Sequence, residues 1–320
     1  MVNIVKAKVE IVALGHILNE KIIFPDKVIY PVLGSPVAYS SVCMASLGRN
    51  VGIVTKVGRD FPDNLLKTFR DVGVDTRGLH VTDSSTNNEL IYDKSGNKTL
   101  NFISKAHPID YSDLPTEYLN ASIFYVCPMD YEITLETIKK IHTLNKTVAI
   151  DLGGFGGGTS DSHPNIKDGR EIEDLCPFAN IVKASSEDLF HVFGDVKKEE
   201  AAEKINGWGS EICIITLGRD GAYLRFNQRD YYFKPFPIEK FVDQTGAGDC
   251  FCAGFLSRYI ENNDPVESIY YGMAAASYIV ERSGGVTKER MPDRKEVERR
   301  VVRLKEFDSK VLERQRSKDG

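Results

Sequence analysis

The sequence predicts an α/β fold, with a mostly parallel central sheet covered by helices on both faces. Three observations predict it. Apolar runs of strand length alternate with amphipathic stretches of helix length through the first two thirds of the chain, the order that crossover units impose. Several of those runs are continuously apolar rather than alternating, as strands buried on both faces must be. After residue 249 the chain reads as mostly helical, which supplies further cover for one face.

Taken in order, strands are expected at 9–14, 51–57, 123–127, 147–150, 181–182 and 212–216, each a short Val/Ile-rich run. Between them helices are expected at 37–47, 61–72, 131–144, 186–193 and 198–207, where apolar residues recur at helical spacing. Residues 21–31 form an extended stretch before the first helix. Residues 89–104 depart from the crossover pattern: polar and apolar alternate on both sides of Ser95-Gly96-Asn97, which is the signature of a hairpin. In the tail, 288–320, Val297, Val301, Leu304, Phe307 and Val311 fall on one helical stripe among many charges, with Lys and Arg in excess. That tail reads either as a helix packed on the body or as a basic interaction segment. With no repeat and no low-complexity linker, residues 1–320 are expected to form one domain.

Composition narrows the class. The 320 residues are 42% hydrophobic and 27% charged, with a net charge of −5, which argues against nucleic acid as a partner. No apolar run is long enough to cross a bilayer, and Met1–Lys8 lacks an export-type apolar region. Six scattered cysteines, mostly inside apolar runs, fit buried thiols in a reducing cytoplasm.

The chemistry is concentrated at Asp243-Gln244-Thr245-Gly246-Ala247-Gly248-Asp249, followed by the small, apolar run Cys250-Phe251-Cys252-Ala253-Gly254. A glycine-rich turn opening a buried helix aims backbone N–H groups and the positive helix end at one point, an anion site. Asp249 in the first turn either favours the helix terminus or serves as a general base beside that site. The glycine-rich loop Gly153-Gly154-Phe155-Gly156-Gly157-Gly158 lacks a following Gly-Lys-Ser/Thr and reads as a mobile loop at the carboxyl edge of the sheet.

This string resembles the signature of the ribokinase-like (PfkB-type) carbohydrate and nucleoside kinases, Asp-x-Thr-Gly-Ala-Gly-Asp followed by a small-residue helix. The resemblance extends over 15–285 and implies a ribokinase-like fold whose small β-sheet lid, built from about 17–35 and 86–105, covers the substrate. It implies ATP and Mg2+ as cofactors and transfer of a phosphoryl group to a hydroxyl of a small sugar, polyol or nucleoside. Asp249 would be the base, with Gly246, Ala247 and Gly248 as anion-hole donors. Asp243 and Thr245 would belong to the nucleotide site. So would Thr216, Gly218, Arg219 and Gly221, which resemble the family's Thr-x-Gly-x-x-Gly element. Lys183-Ala-Ser185-Ser-Glu187-Asp188 stands where the family often has Lys-x-Asn-x-x-Glu. Lys183 and Ser185 would face the nucleotide, and Asp188 with Glu187 would reach the metal through water; N-capping by serine is the other reading of that stretch. Substrate contacts would come from Gly34, Ser35 and Tyr39, where Ser35 and Tyr39 depart from the family's Gly and Asn. His16, Asn19 (near a place where the family has Asp) and Asn101 on the hairpin are further candidates. Two other classes stand beside the kinase: a non-catalytic sugar- or nucleoside-binding protein, and an assembly partner forming a homodimer through its lid.

Overall fold

A computed structural model describes residues 8–94 and 98–316, so the turn expected at Ser95-Gly96-Asn97 lies outside the described residues. The elements run β1 (Ile11–Leu14), β2 (Leu18–Ile23), β3 (Val28–Gly34), α1 (Pro36–Ser46), β4 (Val51–Gly58), α2 (Asp63–Val72), β5 (Asp75–Thr82), β6 (Thr86–Tyr92) and β7 (Lys98–Ser104). They continue with β8 (Ile123–Val126), α3 (Leu135–His142), β9 (Thr147–Asp151), α4 (Arg170–Glu173), β10 (Ile181–Ser185), α5 (Ser186–Phe193), α6 (Lys198–Gly207) and β11 (Ile212–Thr216). The last are β12 (Ala222–Phe226), β13 (Arg229–Phe233), α7 (Ala247–Asn262), α8 (Pro265–Val280) and α9 (Arg294–Arg316).

Nine strands form the main sheet in the order β13-β12-β11-β10-β9-β8-β1-β4-β5. From β11 to β5 every pairing is parallel; β12 and β13 are antiparallel additions at one edge. Period-two alternation sends successive side chains to opposite faces. Ile11, Ala13, Ile123, Tyr125, Ile212 and Ile214 enter the core under α1, α2, α7, α8 and α9. Their neighbours Val12, Leu14, Phe124, Val126, Cys213 and Ile215 enter the core under α3, α5 and α6. The continuous apolar runs are thus strands that fill two cores at once. Chain order reverses around β1, which lies between β4 and β8, and crevices at the carboxyl ends of strands form beside such a reversal.

The second sheet, β3-β2-β6-β7, is two antiparallel hairpins joined by a parallel β2–β6 pairing. The extended stretch expected at 21–31 is therefore a hairpin, turned where Phe24 N–H donates to Lys27 O at 2.8 Å. The helix expected at 131–144 starts only at Leu135, where the Thr134 hydroxyl accepts the Thr137 N–H at 3.2 Å. Val297, Val301 and Leu304 of α9 are buried, whereas Phe307 is 40% exposed. All six cysteines are free and buried. Among the described residues no helix is long and apolar enough to cross a membrane.

Candidate active site

The loop before α7 ends at Gly246, which adopts a left-handed conformation (φ 77°). A Cβ there would stand 2.3 Å from the Tyr39 ring, so glycine both permits the turn and lets that ring support it. Further along, Gly254 lets α8 approach: a Cβ would lie 2.4 Å from Tyr271 O. This close crossing seats α7 with its first turn at the carboxyl edge of the sheet. Half-buried Asp249 opens there into a cavity of about 1100 Å3. The Ala247 N–H donates to Gln244 O at 3.0 Å. One of the three donors expected for an anion is thereby committed inside the turn.

Below the turn lies an ion pair. Parallel register places Lys183 on β10 directly beside Asp151 on β9. The Lys183 Nζ is 3.0 Å from Asp151 Oδ2 and 3.9 Å from Asp188 Oδ2. Burial works to lower the Lys183 pKa, but the carboxylates of Asp151 and Asp188 outweigh it and hold the ammonium charged, well above the ordinary lysine value. A Cβ on Gly248 would stand 3.3 Å from this Nζ, so the cation lies against the anion-site turn. Asp151 also accepts the Gly153 N–H (3.0 Å) and the Tyr125 hydroxyl (3.3 Å).

Two further walls complete the cavity. Thr216, Gly218, Arg219 and Gly221 line it at the β11–β12 turn, facing the apolar Ile238, Met273, Ala276 and Val280. The Arg219 guanidinium lies 4.5 Å from the centre of the Phe241 ring. On the opposite side the small sheet contributes Glu20 and Asn88, both buried. The Asn88 Nδ2 donates to Glu20 Oε1 at 2.9 Å, while its Oδ1 is buried without a hydrogen-bond partner. A buried acceptor left unpaired is costly unless a ligand completes it. The Tyr92 and Thr245 hydroxyls share a 2.9 Å hydrogen bond that ties the small sheet to the turn before α7.

A family model for the pfkB family carbohydrate kinases matches residues 38–292. The chain belongs to this family. A cytidine kinase from Thermococcus kodakarensis is 26% identical over 278 residues, 86% of this chain and 97% of that one. An ATP-dependent 6-phosphofructokinase from Thermoanaerobacterium thermosaccharolyticum is 30% identical over 274 residues, 81% of each chain. The Arabidopsis thaliana ribokinase complexed with ribose and ATP superposes with a TM-score of 0.75 at 20% identity, covering 92% of this chain and 99% of its own. Membership makes the chain an ATP-dependent carbohydrate or nucleoside kinase with a ribokinase-like fold.

Against this pfkB frame the residues expected from sequence divide into two groups. Asp249, Gly246, Ala247, Gly248, Thr245, Lys183, Ser185, Glu187, Asp188, Thr216, Gly218, Arg219, Gly221, Ser35 and Tyr39 all line the one cavity. His16, Asn19, Gly34, Asn101 and Asp243 are not among its lining residues. The buried ring of His16 bonds instead to His107 O (3.0 Å) and Thr86 Oγ1 (2.9 Å). Asn19 donates to the Tyr30 hydroxyl at 3.2 Å. Gly34 backs the cavity wall, since a Cβ on it would meet Glu20 Oε2 at 3.0 Å. Asn101 is exposed on β7. Asp243 accepts the Thr245 N–H at 2.9 Å and so fixes the turn from behind. Tyr39 uses its hydroxyl inside the protein, donating to Gly284 O at 3.2 Å. Both carboxylate oxygens of Asp188 accept backbone N–H groups, from Ser185 and Gly158, and Ser185 caps α5 in return. That leaves exposed Glu187 as the acid of the pair placed to reach solvent. The loop expected to be mobile is packed: Gly153, Gly154 and Phe155 are buried.

Sequence reasoning missed Glu20, Asn88, Asp151 and Arg290. A Glu between Asn19 and Lys21 reads as an exposed strand residue until β2 is placed over the cavity. For Asp151 the available signal was its position at the end of an apolar run.

Proposed function

We propose that this kinase transfers the γ-phosphoryl group of ATP to a hydroxyl of a small sugar, polyol or nucleoside held between the small sheet and α7. The observation that carries this reading is a shared space: Asp249 and the turn before α7 open into the same cavity as Glu20 and Asn88. The acceptor's adjacent hydroxyls donate to the Glu20 carboxylate and to Asn88 Oδ1, which lacks any other partner. Leu18, Leu90, Tyr92 and Leu100 provide the apolar surround of that half of the cavity, suited to a sugar face or a base. The nucleotide lies along Thr216, Gly218 and Arg219, with its base against Ile238, Ala276 and Val280. Its outer phosphates reach the N–H groups of Gly246 and Gly248 and the charge of Lys183.

Asp249 orients the acceptor hydroxyl toward the phosphorus and takes its proton late, because an alkanol is too weak an acid to ionise beforehand. The helix terminus and Lys183 stabilise the charge that develops on the transferred group. Among the described residues no three His, Cys, Asp or Glu side chains are grouped to hold a metal. Mg2+ needs no such group, since it binds through phosphates and water. When bound it would neutralise phosphate charge, with Glu187 contacting its water shell.

A linked-enzyme assay with ATP and Mg2+ against a panel of sugars, polyols and nucleosides tests the reading. Wild type is expected to turn over at least one acceptor, and Asp249→Asn to lower kcat by about 10²–10⁴-fold with acceptor affinity unchanged. Near-normal turnover by the variant removes the base. ATP binding without turnover of any acceptor supports a binding protein instead.

A further inference from the structure

Arg290 is 4% exposed, and it lies outside the cavity lining. Its guanidinium meets an unusual set of oxygens. Nη2 donates to Thr245 O (3.0 Å), Arg282 O (3.2 Å) and Asp243 Oδ2 (3.4 Å). Nη1 donates to the Tyr39 hydroxyl (2.7 Å) and to Gly284 O. Three backbone carbonyls, one carboxylate and one phenol oxygen thus converge on a single buried cation. The groups it joins are the parts that shape the anion-site turn: Asp243 and Thr245 precede Gly246, and the Tyr39 ring supports Gly246. Arg282 and Gly284 follow α8, so the same cation also ties that connection to the turn.

A cluster of carbonyl and carboxylate oxygens replaces the hydration shell of a cation well, and K+ is the ion that carbonyl rings hold. Here the chain supplies the cation itself. We propose that Arg290 is a positioning residue, a tethered cation filling an oxygen cage that would otherwise need a free monovalent ion to set the anion-site turn. The proposal rests on the kinase reading of that turn. Two consequences follow. Turnover by wild type is independent of added monovalent cation. Removing the side chain creates a cage of Asp243 Oδ2 and the carbonyls of Thr245, Arg282 and Gly284 that a small cation can enter.

The test is kcat in KCl, NaCl and tetramethylammonium chloride at fixed ionic strength, for wild type, Arg290→Ala and Arg290→Lys, with added guanidinium chloride as a further condition for Arg290→Ala. Wild type is expected to give the same kcat in all three salts. Arg290→Ala is expected to lose about 10²–10³-fold in kcat, the scale of a misplaced anion-hole donor, with the acceptor KM unchanged. Part of that loss returns with KCl or guanidinium chloride and none with tetramethylammonium, which is too large for the cage. Arg290→Lys, which keeps a charge, falls between the two. A wild type activated by K+ overturns the proposal, as does an Arg290→Ala variant with full kcat, or one that neither K+ nor guanidinium restores. Where Arg290→Ala does not fold, the wild-type salt series and Arg290→Lys decide. Should wild type turn over no acceptor, the kinase reading fails separately. The same salt series is then read on ATP affinity by calorimetry, with K+-dependent wild-type affinity counting against the tethered cation.

Discussion

Gly246→Ala tests the seat of the anion site directly. Two costs meet at this position. An alanine at φ 77° sits in the left-handed region, which costs about 1–2 kcal/mol for a residue with a Cβ. The new Cβ would also lie 2.3 Å from the Tyr39 ring. That ring cannot step aside freely, because its hydroxyl is held by Arg290 (2.7 Å) and by Gly284 O (3.2 Å). Overpacking against a pinned neighbour adds about 1–3 kcal/mol. The combined strain is about 2–5 kcal/mol, and the turn can shed it by moving its N–H groups away from the phosphoryl position. Losing one well-placed donor lowers kcat by about 10²–10³-fold. The assay is kcat at a temperature where circular dichroism shows the variant folded, with urea unfolding run in parallel to measure the strain. A variant that loses stability as expected but keeps wild-type kcat would falsify the link between this turn and catalysis. One that keeps both shows that the Tyr39 contact is not a constraint.

Asp151→Ala leaves Lys183 buried without its nearest carboxylate, 3.0 Å away in the wild type, and is expected to cost about 3–5 kcal/mol in urea unfolding. Removing both charges, as Asp151→Leu with Lys183→Met, should cost less, and a double variant worse than the single one would contradict the pairing. Stability is also expected to depend on pH through His16. Burial lowers its pKa, against the opposing pull of Glu132, while Lys56 pushes the same way as burial. The unfolded chain takes up its proton near the ordinary value of about 6.5 and the folded chain only at lower pH. The contribution is therefore full above that value and is lost as pH falls below it, down through the folded pKa. Melting temperature measured from pH 7.5 to 5 should fall for wild type, and His16→Gln should flatten the slope.

The parallel core of the fold was legible because β1, β8 and β11 fill both cores and so present unbroken apolar runs. The edge strands were not. β5 (Asp75–Thr82) and β13 (Arg229–Phe233) have one side in solvent, and their mixed polarity matches no strand pattern clearly. For the small sheet, the alternation around 89–104 gave its second hairpin, whereas the β2–β3 turn was hidden because β3 is exposed over its first half. At the site, the motif ending in Asp249 was readable because one local segment builds a turn and a helix terminus. The Lys183–Asp151 pair depends on β9–β10 register, and Arg290 meets Tyr39 across 251 positions. Contacts of that kind are set by topology and leave no local pattern. Tyr39 shows the limit most clearly: it was expected only as a substrate contact, and the support its ring gives Gly246, 207 positions away, left no local pattern.

The hydrogen bond between Tyr92 and Thr245 is a strut from the small sheet to the turn before α7. Tyr92 belongs to the sheet proposed to hold the acceptor, and Thr245 immediately precedes the glycine that shapes the anion-site turn. On the kinase reading, a strut joining the acceptor sheet to the phosphate seat would restrain idle loss of ATP to water, so Tyr92→Phe is expected to hydrolyse more ATP for each acceptor phosphorylated.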